Sequence, residues 1–179
     1  MKNGKPVNSM TINRKRDVMS GDNCEESRFM RMALDEAGAA RRAGEVPVGA
    51  VVVSEGKVIA RSHNLTITLN DATAHAEMQA ITAASDWLGG RYLTGCTLYV
   101  TLEPCPMCAG ALYWSRVERV VFGCRDMKRG YMLYSPEMLH PGTQVEEGVL
   151  EDECSEMISS FFRERRKGNR EKGEAEEGE

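Results

Sequence analysis

His75 and Glu77 stand two residues apart in the segment DATAHAEMQAI (71–81), where the residues that follow are mostly apolar. A neutral imidazole is a common metal ligand, and a carboxylate held close to a metal can take a proton from water. A lone His-x-Glu at a helix start is more often a cap beside a surface charge. The pair therefore indicates chemistry only if the chain supplies further metal ligands elsewhere.

Two cysteines three residues apart supply candidate ligands in TLEPCPMCAGA (101–111). On a helix Cys105 and Cys108 would share one face, and Pro106 suits a first helical turn. The partial positive charge of a helix N-terminus favours the thiolate, which is the form that binds zinc. A C-x-x-C pair is also typical of thioredoxin-like redox chemistry, which would require a reversible Cys105–Cys108 disulfide.

Three protein ligands without an evident fourth indicate a catalytic rather than a structural zinc site. His63 and His140 stand in unrelated contexts. Two thiolates and an imidazole neutralise Zn²⁺, so a bound water is less acidified than on a three-histidine site and a nearby base matters more. The motif order matches an H-x-E…P-C-x-x-C signature. The predicted site consists of the ligands His75, Cys105 and Cys108 and the base Glu77.

The other cysteines are expected to pack in the core, and Glu103 is expected to make local hydrogen bonds or to cap a helix. These cysteines are Cys24, Cys96, Cys124 and Cys154.

Hydrophobic periodicity predicts the elements that must position these residues. The order α-β-β-α-β-α-β-β-α predicts a three-layer α/β/α fold with a central mixed five-stranded sheet. Two helix N-termini are then expected to point at one metal. Trp87 and Leu88 in the second helix, and Phe161 and Phe162 in the last, are expected to face inward. The predicted helices are 25–44, 74–88, 106–115 and one from 151, and the predicted strands are 47–53, 58–64, 96–101, 119–123 and 143–149.

Composition describes a folded domain, with 41% hydrophobic and 28% charged residues among 179 and a net charge of -4. This balance excludes a uniformly basic protein that coats nucleic acid. There is no apolar run long enough for a membrane span and no secretory h-region, so a cytoplasmic protein with reduced thiols and no membrane partner is expected. Residues 1–22 are predicted to be a disordered basic leader, 23–167 the catalytic domain and 168–179 a disordered charged tail.

At these motifs the chain resembles the zinc-dependent nucleobase deaminases, and most closely the bacterial tRNA-specific adenosine deaminases. The resemblance spans about residues 25–167. The first three of its segments occur in several kinds of deaminase, and the last two are closer to the tRNA enzymes. The segments are EVPVGAVVV (45–53), DATAHAE (71–77), TLEPCPMCAGA (101–111), RVVFGCRDMKRG (119–130) and GVLEDECSEMISSFFRERRK (148–167).

The resemblance implies a cytidine-deaminase-like fold, one zinc ion per chain, and hydrolysis of adenosine to inosine at the tRNA anticodon wobble position. Glu77 would take a proton from the metal-activated water that attacks C6 of adenine, and would then protonate the ring and the departing amine. A homodimer with both subunits near each site is implied, and the tRNA anticodon stem-loop would be the partner. Substrate contacts are implied for Asn64, Ala76, Asp126 and Arg129, and phosphate contacts for Arg163, Arg165 and Arg166.

Other functions remain open at this point. The segment YMLYSPEMLHPGTQ (131–144) departs from the tRNA enzymes, and PCPMC…GALYWSR (104–116) is also similar to guanine deaminases. A guanine deaminase would need the zinc and Glu77 but not the basic final helix. A pyrimidine deaminase fits less well, because free cytidine deaminases usually place Cys where His75 stands. From a different class, a zinc-stabilised RNA-binding module without turnover would have no use for Glu77.

Overall fold

The computed structural model describes residues 25–176, and side chains as far as residue 168, so the predicted basic leader 1–22 lies outside the described residues. Within them the element order matches the predicted one. The helices are α1 (Glu25–Arg42), α2 (Ala76–Leu88), α3 (Pro106–Ser115) and α4 (Glu151–Glu176). The strands are β1 (Gly49–Ser54), β2 (Lys57–His63), β3 (Cys96–Leu102), β4 (Arg119–Cys124) and β5 (Gln144–Glu147).

The five strands form one mixed sheet in the order β2-β1-β3-β4-β5. β1 is antiparallel to both β2 and β3, whereas β3, β4 and β5 are parallel. Because β2 and β3 are both antiparallel to β1, they run in the same direction and end at the same edge of the sheet. α2 follows β2 and α3 follows β3 along the chain, so both helices begin at that edge.

Alternating side chains of the strands build two cores, one on each face of the sheet. Val51 and Val53 pack with Phe29 of α1 and with Cys154 of α4. Val52 and its alternate neighbours pack with alanines of α2 and with α3 on the opposite face. The predicted three-layer α/β/α architecture is therefore confirmed, with α2 and α3 together on one side.

Three side chains expected to face inward are exposed instead. Trp87 is 61% exposed, Leu88 37% and Phe162 41%. The inner face of α2 is filled by small residues, and its fully buried Ala80 and Ala84 already pack against the sheet. The last turn of α2 thus carries its large side chains outward.

α4 continues through Glu176, beyond residue 168, where the predicted charged tail begins. Residues 177–179 lie outside the described part of the chain. The segment NREKGEAE (169–176) is rich in Lys, Arg, Glu and Ala, which have high helix propensity, and it extends a helix already nucleated by packing. Across the described residues, no helix combines the length and apolar character of a membrane span.

Candidate active site at two helix N-termini

His75 stands at the start of α2 rather than inside it. It is the N-cap residue, with extended backbone angles (φ -71°, ψ 157°), and its carbonyl oxygen accepts a bond from the N–H of Gln79 (3.1 Å). Ser62 Oγ at the end of β2 donates to the Ala76 carbonyl oxygen (2.8 Å), which ties this helix end to the sheet. Two residues at i and i+2 on a regular helix point in different directions. Because His75 is an extended N-cap and not a helical residue, its side chain is not bound by that rule and can approach the same point as Glu77.

Cys105 has the same position on α3. It is the N-cap, with φ -74° and ψ 168°, and Pro106 occupies the first helical turn. The Cys105 carbonyl oxygen accepts from the N–H of Ala109 (2.9 Å). Neither His75 nor Cys105 uses its side chain to cap its helix, so both side chains are available for a metal.

The three predicted ligands converge. Sγ of Cys105 lies 3.6 Å from Nδ1 of His75 and 3.6 Å from Sγ of Cys108, and Sγ of Cys108 lies 3.5 Å from Nδ1 of His75. A tetrahedral Zn²⁺ with bonds of about 2.0–2.3 Å holds such atoms about 3.6–3.8 Å apart. Both thiols are free, so the separation is not that of a disulfide. In the described part of the chain this is the single group suited to a metal, and it has no fourth protein ligand.

Glu77 completes the cluster as a buried carboxyl group, 3% exposed, in the first turn of α2. Burial raises the pKa of Glu77 because the charged form loses its hydration, while the neighbouring His75 opposes that shift. Glu77 also interacts with the Cys108 thiol. The carboxyl group therefore lies close enough to act on a molecule held at the ligand triangle.

The two thiols differ in acidity. A hydrogen bond from Cys108 lowers the pKa of Cys105 to about 4, with His75 contributing further. The same hydrogen bond, together with burial, raises the pKa of Cys108. Cys105 is half-buried and Cys108 is buried. Cys105 is thus the ready thiolate of the pair, and binding of a cation would draw the proton from Cys108.

Glu103 organises the loop that follows β4, in agreement with the local hydrogen-bonding role predicted for it. Its buried carboxylate accepts from the backbone N–H groups of Asp126 (3.1 Å) and Met132 (3.0 Å). The Gly130 backbone passes so close that a Cβ there would meet this carboxylate. The loop also joins the α3 start, because the Tyr131 N–H donates to the Pro104 carbonyl oxygen (3.0 Å).

The predicted substrate residues Asn64 and Ala76 lie beside the ligand triangle. Asn64 follows β2 directly, and the next N–H, that of Leu65, donates to the Ala74 carbonyl oxygen (2.9 Å). Ala76 is fully buried, and its backbone N–H, at the first position of α2, has no acceptor within the helix.

Glu45 was missed in the sequence. Its carboxylate is fully buried and binds the 64–68 segment. The available signal was a carboxylate standing directly before the apolar run VPVGAVVV (46–53), where a buried charge requires several partners.

Asp126 and Arg129 lie on the loop held by Glu103. Asp126 Oδ1 accepts from the N–H groups of Lys128 (2.9 Å) and Arg129 (3.0 Å), so it shapes the turn, and the Arg129 side chain is exposed. This turn keeps Arg129 at the surface on the side of the sheet where β4 ends.

The described contacts of the basic end of α4 are made within that helix and with α1. Arg163 pairs with Glu156 (2.6 Å), and Arg165 lies over the Phe161 ring with 5.4 Å to its centroid. None of the described contacts joins Arg163, Arg165 or Arg166 to the ligand triangle. Arg41, near the end of α1, forms an ion pair with Glu164 of this segment (2.6 Å). The segment therefore lies beside the end of α1, a few residues before Glu45.

The fold and the metal-ligand site together define the class of protein to which this chain belongs. A family model for the cytidine and deoxycytidylate deaminase zinc-binding region matches residues 22–124, so the chain contains a zinc-binding deaminase domain. The tRNA-specific adenosine deaminase of Bacillus subtilis (strain 168) is 51% identical over 148 residues, which cover 80% of this chain and 92% of that protein. The chain belongs to the tRNA-specific adenosine deaminase family.

Solved structures agree with this assignment. One from studies of A-to-I editing by tRNA:A34 deaminases at the wobble position of transfer RNA has 44% identity and a TM-score of 0.69, covering 74% of this chain and 99% of that one. A guanine deaminase from Bacillus subtilis has 43% identity and a TM-score of 0.53, but covers 55% of this chain and 63% of that one. The cytidine-deaminase-like fold is therefore confirmed, and the similarity to the tRNA:A34 deaminase extends over more of the chain.

Proposed function

We propose that this protein hydrolyses adenosine to inosine at the wobble position of a tRNA anticodon, with one Zn²⁺ bound by each chain. The observation that carries the proposal is the triangle of His75, Cys105 and Cys108, with the buried Glu77 beside it, in a member of this family. Two thiolates and one imidazole fit a zinc site that keeps one position open for a substrate.

Zn²⁺ in such a site activates a water molecule for attack on a nucleobase carbon. His75 and both cysteines would hold the ion. Glu77 would accept a proton from the water and pass it to the ring nitrogen. It would then carry the second proton, from the hydroxyl group now bonded to the carbon, to the departing amine, so that ammonia leaves. Burial raises the pKa of Glu77, which makes its carboxylate a stronger proton acceptor toward the water.

The RNA would be bound by residues around this centre. Asn64 and the Ala76 backbone would contact the flipped-out base, and Asp126 and Arg129 would contact the strand beside it. Arg163, Arg165 and Arg166 would meet stem phosphates. A tRNA substrate would place the protein in the cytoplasm, as its sequence also predicts.

We expect a homodimer, and an exposed aromatic surface supports it. Trp114 at the end of α3 is 78% exposed and Trp87 at the end of α2 is 61% exposed. Two residues after Trp114, the Arg116 guanidinium lies over the Tyr92 ring, 4.6 Å from its centroid. Exposed aromatic side chains of this kind are enriched at protein interfaces. Light scattering on a size-exclusion column should show a dimer for the wild type and a monomer for Trp114→Ser.

Guanine deamination is the second candidate, because a guanine deaminase shares fold and identity with part of the chain. The two activities separate in one assay. The zinc-loaded protein is incubated with an anticodon stem-loop carrying adenosine at the wobble position, and in parallel with free guanine. We expect inosine and no xanthine. Xanthine without inosine would assign the guanine reaction instead, and neither product from a zinc-loaded protein would indicate an RNA-binding module.

A further inference from the structure

Glu45 is a fully buried carboxylate outside the ligand triangle, and every hydrogen bond it accepts comes from one short segment. Its Oε1 accepts from the N–H groups of Ile67 (2.8 Å) and Thr68 (2.7 Å). Its Oε2 accepts from Asn64 Nδ2 (3.1 Å) and Thr66 Oγ1 (3.1 Å). Burial alone would raise the pKa of Glu45, but these bonds outweigh it and lower the pKa, so the group is charged at neutral pH.

The charged carboxylate determines which way the Asn64 amide faces. Asn64 Nδ2 donates one hydrogen to Glu45 and the other to Thr66 Oγ1 (3.1 Å). A flipped amide would turn its oxygen toward the carboxylate, where two acceptors repel. None of the described contacts involves Asn64 Oδ1. Among the described residues, every buried side-chain nitrogen or oxygen atom has a hydrogen-bond partner. Because Oδ1 lacks a partner, it is not such a buried atom, and it reaches the solvent even though Asn64 as a whole is buried.

Backbone contacts put this amide next to the metal ligands. The Asn64 N–H donates to the Val48 carbonyl oxygen (3.1 Å), and Leu65 and Ser62 on either side of Asn64 bond the carbonyl oxygens of Ala74 and Ala76. Asn64 is thereby fastened against the residues that flank His75.

We propose that Glu45 is a positioning residue, which locks the Asn64 amide so that Oδ1 accepts a hydrogen bond from the substrate. The proposal rests on the deaminase function proposed above. Adenosine in RNA offers two kinds of donor to such an oxygen, the exocyclic amine of the base and the ribose 2′-hydroxyl. Glu45 itself touches no substrate and acts through Asn64.

Glu45→Gln tests this mechanism because glutamine keeps the shape of the side chain. Its oxygen can still accept from the Ile67 and Thr68 N–H groups, while its amide now donates toward Asn64. The Asn64 amide is then expected to flip, presenting Nδ2 where Oδ1 stood. The matched control is Glu118→Gln, an exposed carboxylate that accepts from the Gly95 N–H (3.0 Å) before β3, at the opposite end of the sheet.

An NMR readout is independent of activity. In the wild type the Asn64 side-chain amide hydrogens should exchange slowly with solvent, and in Glu45→Gln they should exchange faster while zinc content is unchanged. Equal exchange in both proteins would overturn the proposal. This measurement decides the role of Glu45 even if the wild type makes no inosine, a result that would refute the proposed function alone.

Kinetics supply the second test. Glu45→Gln should lower kcat/KM for the stem-loop roughly 10- to 100-fold, as expected for a misplaced substrate contact. In an Asn64→Ala background, Glu45→Gln should lower kcat/KM hardly any further. If Glu45 had a purely structural role, the same substitution would lower kcat/KM by the same factor in both backgrounds. A stem-loop with 2′-deoxyadenosine at the target position identifies the donor: the penalty of Asn64→Ala disappears there if the hydroxyl is the donor, and persists if the amine is.

Discussion

Sγ of Cys108 lies 3.5 Å from Nδ1 of His75, although 33 positions separate the two residues along the chain. The contact exists because β2 and β3 run in the same direction, so that the helices after them begin at one edge of the sheet. Each helix contributes a residue at its N-cap and another in its first turn. The chemistry of the protein therefore depends on the N-termini of α2 and α3 lying side by side.

Cys108→Ala should abolish stoichiometric metal binding. Two ligands are left at the triangle, and zinc sites in proteins have at least three. Elemental analysis should fall from about one zinc per chain to near zero, with loss of deamination. Cys96→Ala is the matched control, because Cys96 is equally buried but lies at the other end of β3. A zinc content near one in Cys108→Ala would contradict the assigned ligand set.

Glu77→Gln should keep its zinc and lose turnover. The amide preserves shape but cannot accept a proton from water, and general acid–base catalysis contributes roughly 10²–10⁴-fold. Single-turnover formation of inosine should slow by about that factor. Asp86→Asn, an exposed carboxylate further along α2, should react as the wild type does. Wild-type rates in Glu77→Gln would refute the role given to this residue.

In the zinc-free protein Cys105 should behave as a thiolate. Its pKa is lowered from 9.0 to about 4, chiefly by the hydrogen bond from Cys108, so the thiolate persists as the pH falls until about pH 4. Alkylation by iodoacetamide, followed by peptide mass spectrometry, should be nearly flat from pH 8 to 5, whereas an ordinary thiol slows about tenfold per pH unit.

Two variations check the cause of this acidity. Bound zinc should protect Cys105 from alkylation. Cys108→Ala removes the hydrogen-bond donor, so the rate should regain a steep dependence on pH. A steep dependence in the zinc-free wild type would contradict the assigned pKa.

Gly130→Ala should destabilise the loop that Glu103 organises. A Cβ at residue 130 would meet the buried carboxylate, and relieving such overpacking costs about 1–3 kcal/mol. Urea denaturation of the zinc-loaded protein measures the change. Gly110→Ala on α3 is the control, since a Cβ there meets no atom within 4 Å and alanine favours a helix by up to about 1 kcal/mol. If the two variants had equal free energies of unfolding, the loop would be able to move away from the added methyl group at no cost, and the prediction would be wrong.

Charge reversal at the end of α4 should weaken tRNA binding. Arg165→Glu with Arg166→Glu removes up to two phosphate contacts, and each contact contributes about -0.7 to -0.9 to the slope of log K against log salt. A filter-binding titration at several salt concentrations should show lower affinity and a shallower slope. Arg28→Glu, exposed near the start of α1, should leave both unchanged. An unaltered slope in the double variant would identify the segment as a solvated surface.

Local patterns predicted most of the elements because each depends on nearby residues. Pro106 and the periodic apolar positions located α3 to the residue, and the strand patterns located β1 to β4 within about two residues. The errors lie where packing decides. Trp87 sits on the helix face that periodicity marks as inward, yet the small residues before it already fill the space against the sheet.

Sequence by itself determined the chemistry of the site, because a His-x-Glu pair and a C-x-x-C pair in this order restrict the possible ligands and the base. The element order predicted that two helix starts would meet at one metal, but the tertiary structure decided their contact, since His75 and Cys108 meet only because β2 and β3 run in the same direction on either side of β1. The same holds for Glu45, because its place before the apolar run 46–53 suggests a buried charge but identifies none of its partners. Its partners lie about twenty residues further along the chain, and their hydrogen bonds exist only after the segment 64–68 folds back over the end of α1.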